Sequence, residues 1–154
     1  MNTNEQVKGS RWKKAMHELL SLKAPTDAVA WGFTIGTFVA LTPTWGIHTL
    51  LIAILVALFK KNFTSAYISS WIFGNPLVAF PAYALEYRIG LFITGLAPVR
   101  LPERLMLSDL ASFGWRVFVP AIVGCLLIAP LVALVVHLAF KKWLENRRGK
   151  LEAA

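Results

Sequence analysis

The chain is poor in cysteine, in acidic side chains and in charge of either sign. Its single cysteine, Cys125, excludes an intrachain disulfide. His17, His48 and His137 lie too far apart in sequence to join that thiol in a metal-ligand spacing, so no metal site is expected. Between positions 28 and 99 the one carboxylate is Glu86, and general acid and base chemistry ordinarily pairs titratable groups in one cleft. No nucleophile elbow, phosphate-cradling glycine loop or HExxH pattern occurs. These absences predict a non-catalytic chain with no cofactor. Only 16% of the residues are charged, and none falls in Ala28 to Phe59, Asn62 to Leu85 or Val117 to Phe140. Such charge-free windows exclude the evenly solvated surface of a soluble domain.

Apolar side chains make up 56% of the 154 residues. Each charge-free window exceeds the roughly 20 residues that a helix needs to cross a bilayer core. Composition therefore predicts an all-α, polytopic integral membrane protein. The net charge of +8 does not form the continuous basic, aromatic-studded face that nucleic acid requires, so no nucleic-acid partner is expected. The basic residues flank the apolar windows, as topology determinants and contacts for anionic lipid. Five fall in positions 1–27 and five in 141–154, which predicts that both termini are cytoplasmic. No cleavable secretion signal is evident, and the N-terminal segment is expected to stay on the mature protein.

Residues 1–27 read as a basic amphipathic segment that either lies on the membrane surface or forms a soluble helical tail. The window 28–59 would make one helix about 48 Å long, too long for a straight span. It is interrupted at Thr42-Gly46 by "TPTWG", with Pro43 and Gly46 as breaking residues. A re-entrant hairpin satisfies this pattern; a strongly tilted or kinked span is the alternative. Small residues recur every fourth position, Ala28, Gly32, Gly36 and Ala40, and again at Ala66, Ser70 and Gly74, which predicts close helix packing at Gly32, Gly36 and Ser70. A second break follows at Gly74-Pro76, with a further proline at Pro81, making 62–99 a broken span. This order of small-residue helix, break and apolar continuation is a candidate internal repeat of the kind that lines transporter sites. A polar connection at 100–116 leads to a spanning helix at 117–140, kinked by Pro120 and Pro130, and a basic tail at 141–154.

His48, Thr49, Asn75 and Glu86 are the candidate members of a polar pocket at the breaks. His48, Asn75 and two helix N-termini converging there would favour an anion; for the histidine, threonines and asparagine the competing role is to satisfy backbone groups freed by the breaks. Glu86 would face either a cavity or, with Arg88 snorkelling beside it, the interface. The stretch Gly32 to Gly90 resembles the bacterial membrane proteins grouped as domain of unknown function twenty sixty-two. The resemblance rests on Pro43 and Gly46 followed by His48 and Thr49, Asn62 after a basic pair, Asn75-Pro76, and Pro81, Tyr83, Tyr87 and Gly90. It implies a small protein of the bacterial inner (cytoplasmic) membrane, of a kind that elsewhere occurs attached to glycosyltransferase-like regions, and it implies no activity. Two functions fit these expectations. One is a transporter or flippase-like protein for an anionic envelope lipid or small solute. The other is a non-catalytic scaffold for envelope-synthesis enzymes. Membrane lipids, a second copy of the chain or another membrane protein are the expected partners.

Overall fold

The structure is a computed structural model that describes residues 24–44, 46–99 and 107–152, with side chains for 24–44, 46–99 and 114–150. The amphipathic N-terminal segment with His17, most of the early connection after Val99, and Trp45 lie outside the described residues. Among the described residues five helices follow one another: α1 Thr26–Leu41, α2 His48–Phe59, α3 Phe63–Phe73, α4 Pro76–Thr94 and α5 Leu107–Glu152. No strand occurs among the described residues.

Local chemistry sets the helix ends. Thr42 precedes proline and is extended, with φ −87° and ψ 136°, as the proline ring demands, and α1 stops there. Gly46, at φ +87°, supplies the left-handed turn into α2. Asn62 caps α3 by accepting from the Ser65 amide at 2.8 Å. Asn75 caps α4 by accepting from the Leu77 amide at 3.1 Å, with Pro76 in the first helical turn, where its missing N–H costs nothing.

The α1–α2 excursion closes on itself: the Asn62 amide donates to the Ala28 carbonyl at 3.2 Å, so residue 62 returns beside the start of α1. From there α3 runs alongside α1. Gly32 meets the Asn62 backbone and Gly36 meets that of Ala66, and a Cβ at either glycine would overlap a carbonyl oxygen. At Gly32 and Gly36 the two helices thus meet backbone against backbone, while Ser70 is buried and donates to the Tyr67 carbonyl of its own helix. Hydroxyl groups join the same pair of helices. Ser65 donates to the Val29 carbonyl at 2.7 Å, and Thr37 and Ser69 share a bond of 2.7 Å.

Antiparallel to α1 runs α5. Arg148 donates to the Ala24 carbonyl at 2.8 Å, Lys141 to Asp27 at 2.9 Å, and Thr34 bonds His137 at 2.8 Å. Phe33 stacks on Phe140 with ring centroids 3.8 Å apart. Farther along, α4 packs on the N-terminal half of α5, with Gly90 against the Pro120 backbone and Gly124 against that of Glu86.

The distribution of polarity is inverted relative to a water-soluble domain. Thr34, Thr37, Ser65, Ser69, Ser70, Glu86 and His137 are buried, while Phe92, Leu77, Leu58, Val135 and Leu138 are among many large apolar side chains left exposed. Among the described residues two helices are long and apolar enough to cross a membrane, Pro76–Thr94 and the Gly114–Lys150 part of α5.

Three expectations change. The boundaries expected at 116/117 and 140/141 fall inside the 46-residue α5, because the Lys, Arg, Glu and Leu of the tail are good helix formers and continue the last apolar turns. Pro81 does not break a helix; it sits inside α4 and removes only the bond its N–H would have given the Leu77 carbonyl. The two halves of the candidate repeat also differ in geometry: α2 packs on α1 as well as on α3, whereas α4 packs chiefly on α5.

Candidate functional site

The two interruptions meet. A cleft of about 600 Å³ is lined from the first break by Thr42, Thr44, Gly46, His48 and Thr49, and from the second by Ser70, Gly74, Asn75 and Pro76. Tyr67, Trp71, Phe80 and Tyr83 complete its wall. Of the four predicted pocket residues, His48, Thr49 and Asn75 therefore share one cavity, and each is exposed to it.

Glu86 does not join them. It lies farther along α4, fully buried against α5, and neither carboxyl oxygen has a hydrogen-bond partner among the described residues. The physical reason is distance along the helix: Glu86 follows Tyr83 on the same face of α4, but one turn beyond the cleft that face is covered by α5. Arg88, two positions on, projects from a different face and is exposed, so it neither pairs with Glu86 nor draws it to a boundary.

The hydrogen bonding at the breaks is asymmetric. The carbonyl groups left open at the end of α1 are taken up: Thr42 Oγ1 donates to the Phe38 and Val39 carbonyls at 3.0 and 2.8 Å, and Tyr83 Oη donates to the Ala40 carbonyl at 2.9 Å. The helix starts are treated less completely. Ile47 gives α2 no side-chain cap, and among the described residues Thr49 Oγ1 lies 3.4 Å from His48 Nε2. Asn75 spends its carbonyl oxygen on the α4 cap, which leaves its Nδ2 donors to the cleft. The threonines thus divide, with Thr42 answering the broken backbone and Thr49 facing the cavity.

No lysine, arginine or carboxylate is found among the described lining residues. The cleft offers N–H and O–H donors, one imidazole, the N-terminal ends of two helices and an aromatic wall. That set suits one weakly charged oxyanion attached to an apolar body. Among the described residues no group of three His, Cys, Asp or Glu side chains is placed to hold a metal ion.

Sequence reasoning missed the contribution of Tyr83, Trp71 and Phe80. Tyr83 stands seven residues beyond the second break, and nothing in its spacing tells that its hydroxyl would reach back to Ala40.

No curated protein and no solved structure matches the chain. Residues 10–152 match a bacterial family throughout, and the chain accordingly belongs to the family described as uncharacterized protein conserved in bacteria (DUF2062).

Proposed function

We propose that the chain is a multi-pass protein of the bacterial inner membrane, with both termini cytoplasmic, that binds the headgroup of an anionic amphipath in the cleft and moves it across part of the bilayer as a transporter or flippase-like protein. The observation that carries this reading is the convergence of both helix breaks, with the starts of α2 and α4, on one cavity. At about 24 Å, α1 is shorter than a bilayer core, and the return of Asn62 to Ala28 supports a re-entrant hairpin over 28–59 that enters and leaves on one face. Irregular backbone at membrane depth is tolerated where protein or a cavity shelters it, and the cleft provides that shelter. The exposed apolar side chains would meet acyl chains, and the buried hydroxyl groups glue the helices.

The absence of Lys and Arg from the described lining favours a singly charged phosphodiester over a pyrophosphate. We place no catalytic step in the cleft, where His48 has no carboxylate partner among the described lining residues. The scaffold alternative would need a small-residue face free for another protein, and the face of Gly32 and Gly36 is occupied by α3 of the same chain. A chain of this size would close a pathway with a second copy or another membrane protein.

The test is reconstitution in vesicles containing a fluorescent anionic phospholipid, with leaflet exchange followed by external quenching. Wild-type protein should accelerate exchange over empty vesicles, and His48→Ala and Asn75→Ala should each slow it by about tenfold, the scale of one lost charge-assisted hydrogen bond. Equal rates for the three proteins and empty vesicles would remove the reading.

A further inference from the structure

We propose that Glu86 is a proton-binding site, held as the neutral acid in the contact between α4 and α5. The inference is independent of what the cleft binds.

Glu86 has 0% exposure, and Oε1 and Oε2 both lack a partner among the described residues. Around it the two helices are in backbone contact. Gly124 lies directly on the Glu86 backbone, Gly90 lies on that of Pro120 one turn away, and a Cβ at either glycine would overlap a carbonyl oxygen. Solvent cannot be drawn in without parting the two helices. An ionised carboxylate in such a place needs a cation or several N–H donors.

The groups that face it supply neither. From α5, Gly124 lies on the Glu86 backbone, and the thiol of the next residue, Cys125, is directed to the Leu41 carbonyl at 3.8 Å. From α1 the nearest element is its apolar end at Leu41, clustered with Cys125 and Ala129. On α4 itself, Tyr83 is committed to the Ala40 carbonyl, Tyr87 Oη accepts from the Val99 amide at 3.2 Å, and Arg88 is on another face. No hydrogen bond or ion pair from a lysine, arginine or histidine among the described residues reaches either carboxyl oxygen. The neutral acid is the one state that this surrounding accommodates, and intramembrane carboxyl groups of that kind serve proton relays.

Its position gives the proton a consequence. Tyr83, one turn before Glu86 on α4, forms part of the cleft wall and anchors the broken end of α1, while Cys125 on the other side of Glu86 touches the same end of α1. Loss of the proton would place a charge between α4 and α5, drive them apart, and carry Tyr83 with α4. Proton release and the shape of the cleft are thereby linked.

Infrared spectroscopy of the full chain in lipid tests the assignment without requiring access to the site. Wild-type protein at neutral pH should show the carbonyl-stretch band of one isolated carboxylic acid per chain, lost on strong alkalisation. Glu86→Gln should lack the band and Glu86→Asp should move it, so that either variant suffices if the other fails to fold. Absence of the band from wild-type protein would overturn the proposal, because Glu86 would then be ionised and paired, with a bound cation as one explanation. A band unchanged in a folded variant would overturn it equally.

Discussion

Substituting Gly36 by alanine tests how the helices are held together. In an isolated helix the change is favourable by roughly 0.5–1 kcal/mol, because glycine loses more backbone freedom on folding. At Gly36 the new methyl group would meet the Ala66 carbonyl oxygen and lie 2.7 Å from its carbon and 2.9 Å from its Cα. Those are backbone atoms of a packed helix and cannot rotate aside, so α1 and α3 must separate. Separation lengthens the Thr37–Ser69 and Ser65–Val29 hydrogen bonds, both now at 2.7 Å. Overpacking of this kind costs about 1–3 kcal/mol, and each weakened hydroxyl bond adds about 0.6 kcal/mol on the scale measured in membranes. The net expectation is destabilisation by about 2 kcal/mol, or a fall in Tm of roughly 4–8 °C at this chain length. Gly114, in α5 with nothing within 4 Å of an added Cβ, supplies the control, where the same substitution should leave Tm unchanged or raise it by a few degrees. Thermal unfolding of both variants in detergent, followed by tryptophan fluorescence, decides the matter. If Gly36→Ala is as stable as Gly114→Ala, the close approach of α1 and α3 is wrong.

Gly124→Ala should destabilise in the same assay by a similar amount, since its methyl group would meet the Glu86 backbone. Thr37→Val should cost about 1 kcal/mol by leaving the buried Ser69 hydroxyl without its partner, and Thr37→Ser should recover most of it; equal stability of the two variants would refute the bond. Arg148→Ala removes donors to the Ala24 carbonyl and Thr26 hydroxyl, and should speed hydrogen exchange in the first turn of α1 while leaving α3 unchanged, as peptide-resolved mass spectrometry can show. Asp27 is held below the usual carboxylate range chiefly by its hydrogen bond from Lys141, opposed by desolvation and reinforced by the charges of Lys141 and Lys61. Because the folded chain binds the Asp27 proton less readily than the unfolded chain, this contribution is present above the ordinary carboxylate range and lost as pH falls through the lower, folded value. Wild-type protein should therefore lose more Tm between neutral and strongly acidic pH than Asp27→Asn, by a small margin that salt reduces, since the Asp27 side chain is 53% exposed.

What the sequence made legible were the features that depend on local chemistry. A proline after Thr42, a glycine at 46 and an Asn-Pro pair at 75–76 dictate helix ends wherever they occur, and the structure ends and starts its helices there. The spacing of Gly32 and Gly36 also marked a close contact, although not the partner, because periodicity reveals which face is thin and not which helix fills it. Legibility stopped where one helix had to be placed against another. Glu86 was grouped with the breaks because it shares an apolar stretch with Asn75; eleven residues are three turns, which keep it near the same face of α4 but carry it some 16 Å along the axis, to where α5 covers that face. The extent of α5 was hidden for a different reason: a hydropathy window ends where charge begins, but a helix does not.

The arrangement of hydrogen bonds connects the fold to the proposed function more firmly than hydropathy does. A broken helix leaves open carbonyl groups on one side of the break and open amides on the other. If the breaks served packing alone, both sets would be expected to find side-chain partners, as the buried hydroxyl groups elsewhere do. Here the carbonyl end of α1 is closed by Thr42 and Tyr83, so the negative end of that dipole is spent within the protein. The start of α2 has no side-chain cap, and His48 and Thr49 stand exposed in the cleft beside it. What remains facing the cavity at the first break is the positive end of α2, while at the second Asn75 caps the start of α4. An arrangement that satisfies its acceptors and presents its donors is suited to an anion, and the aromatic wall beside it is suited to the apolar remainder of the same molecule.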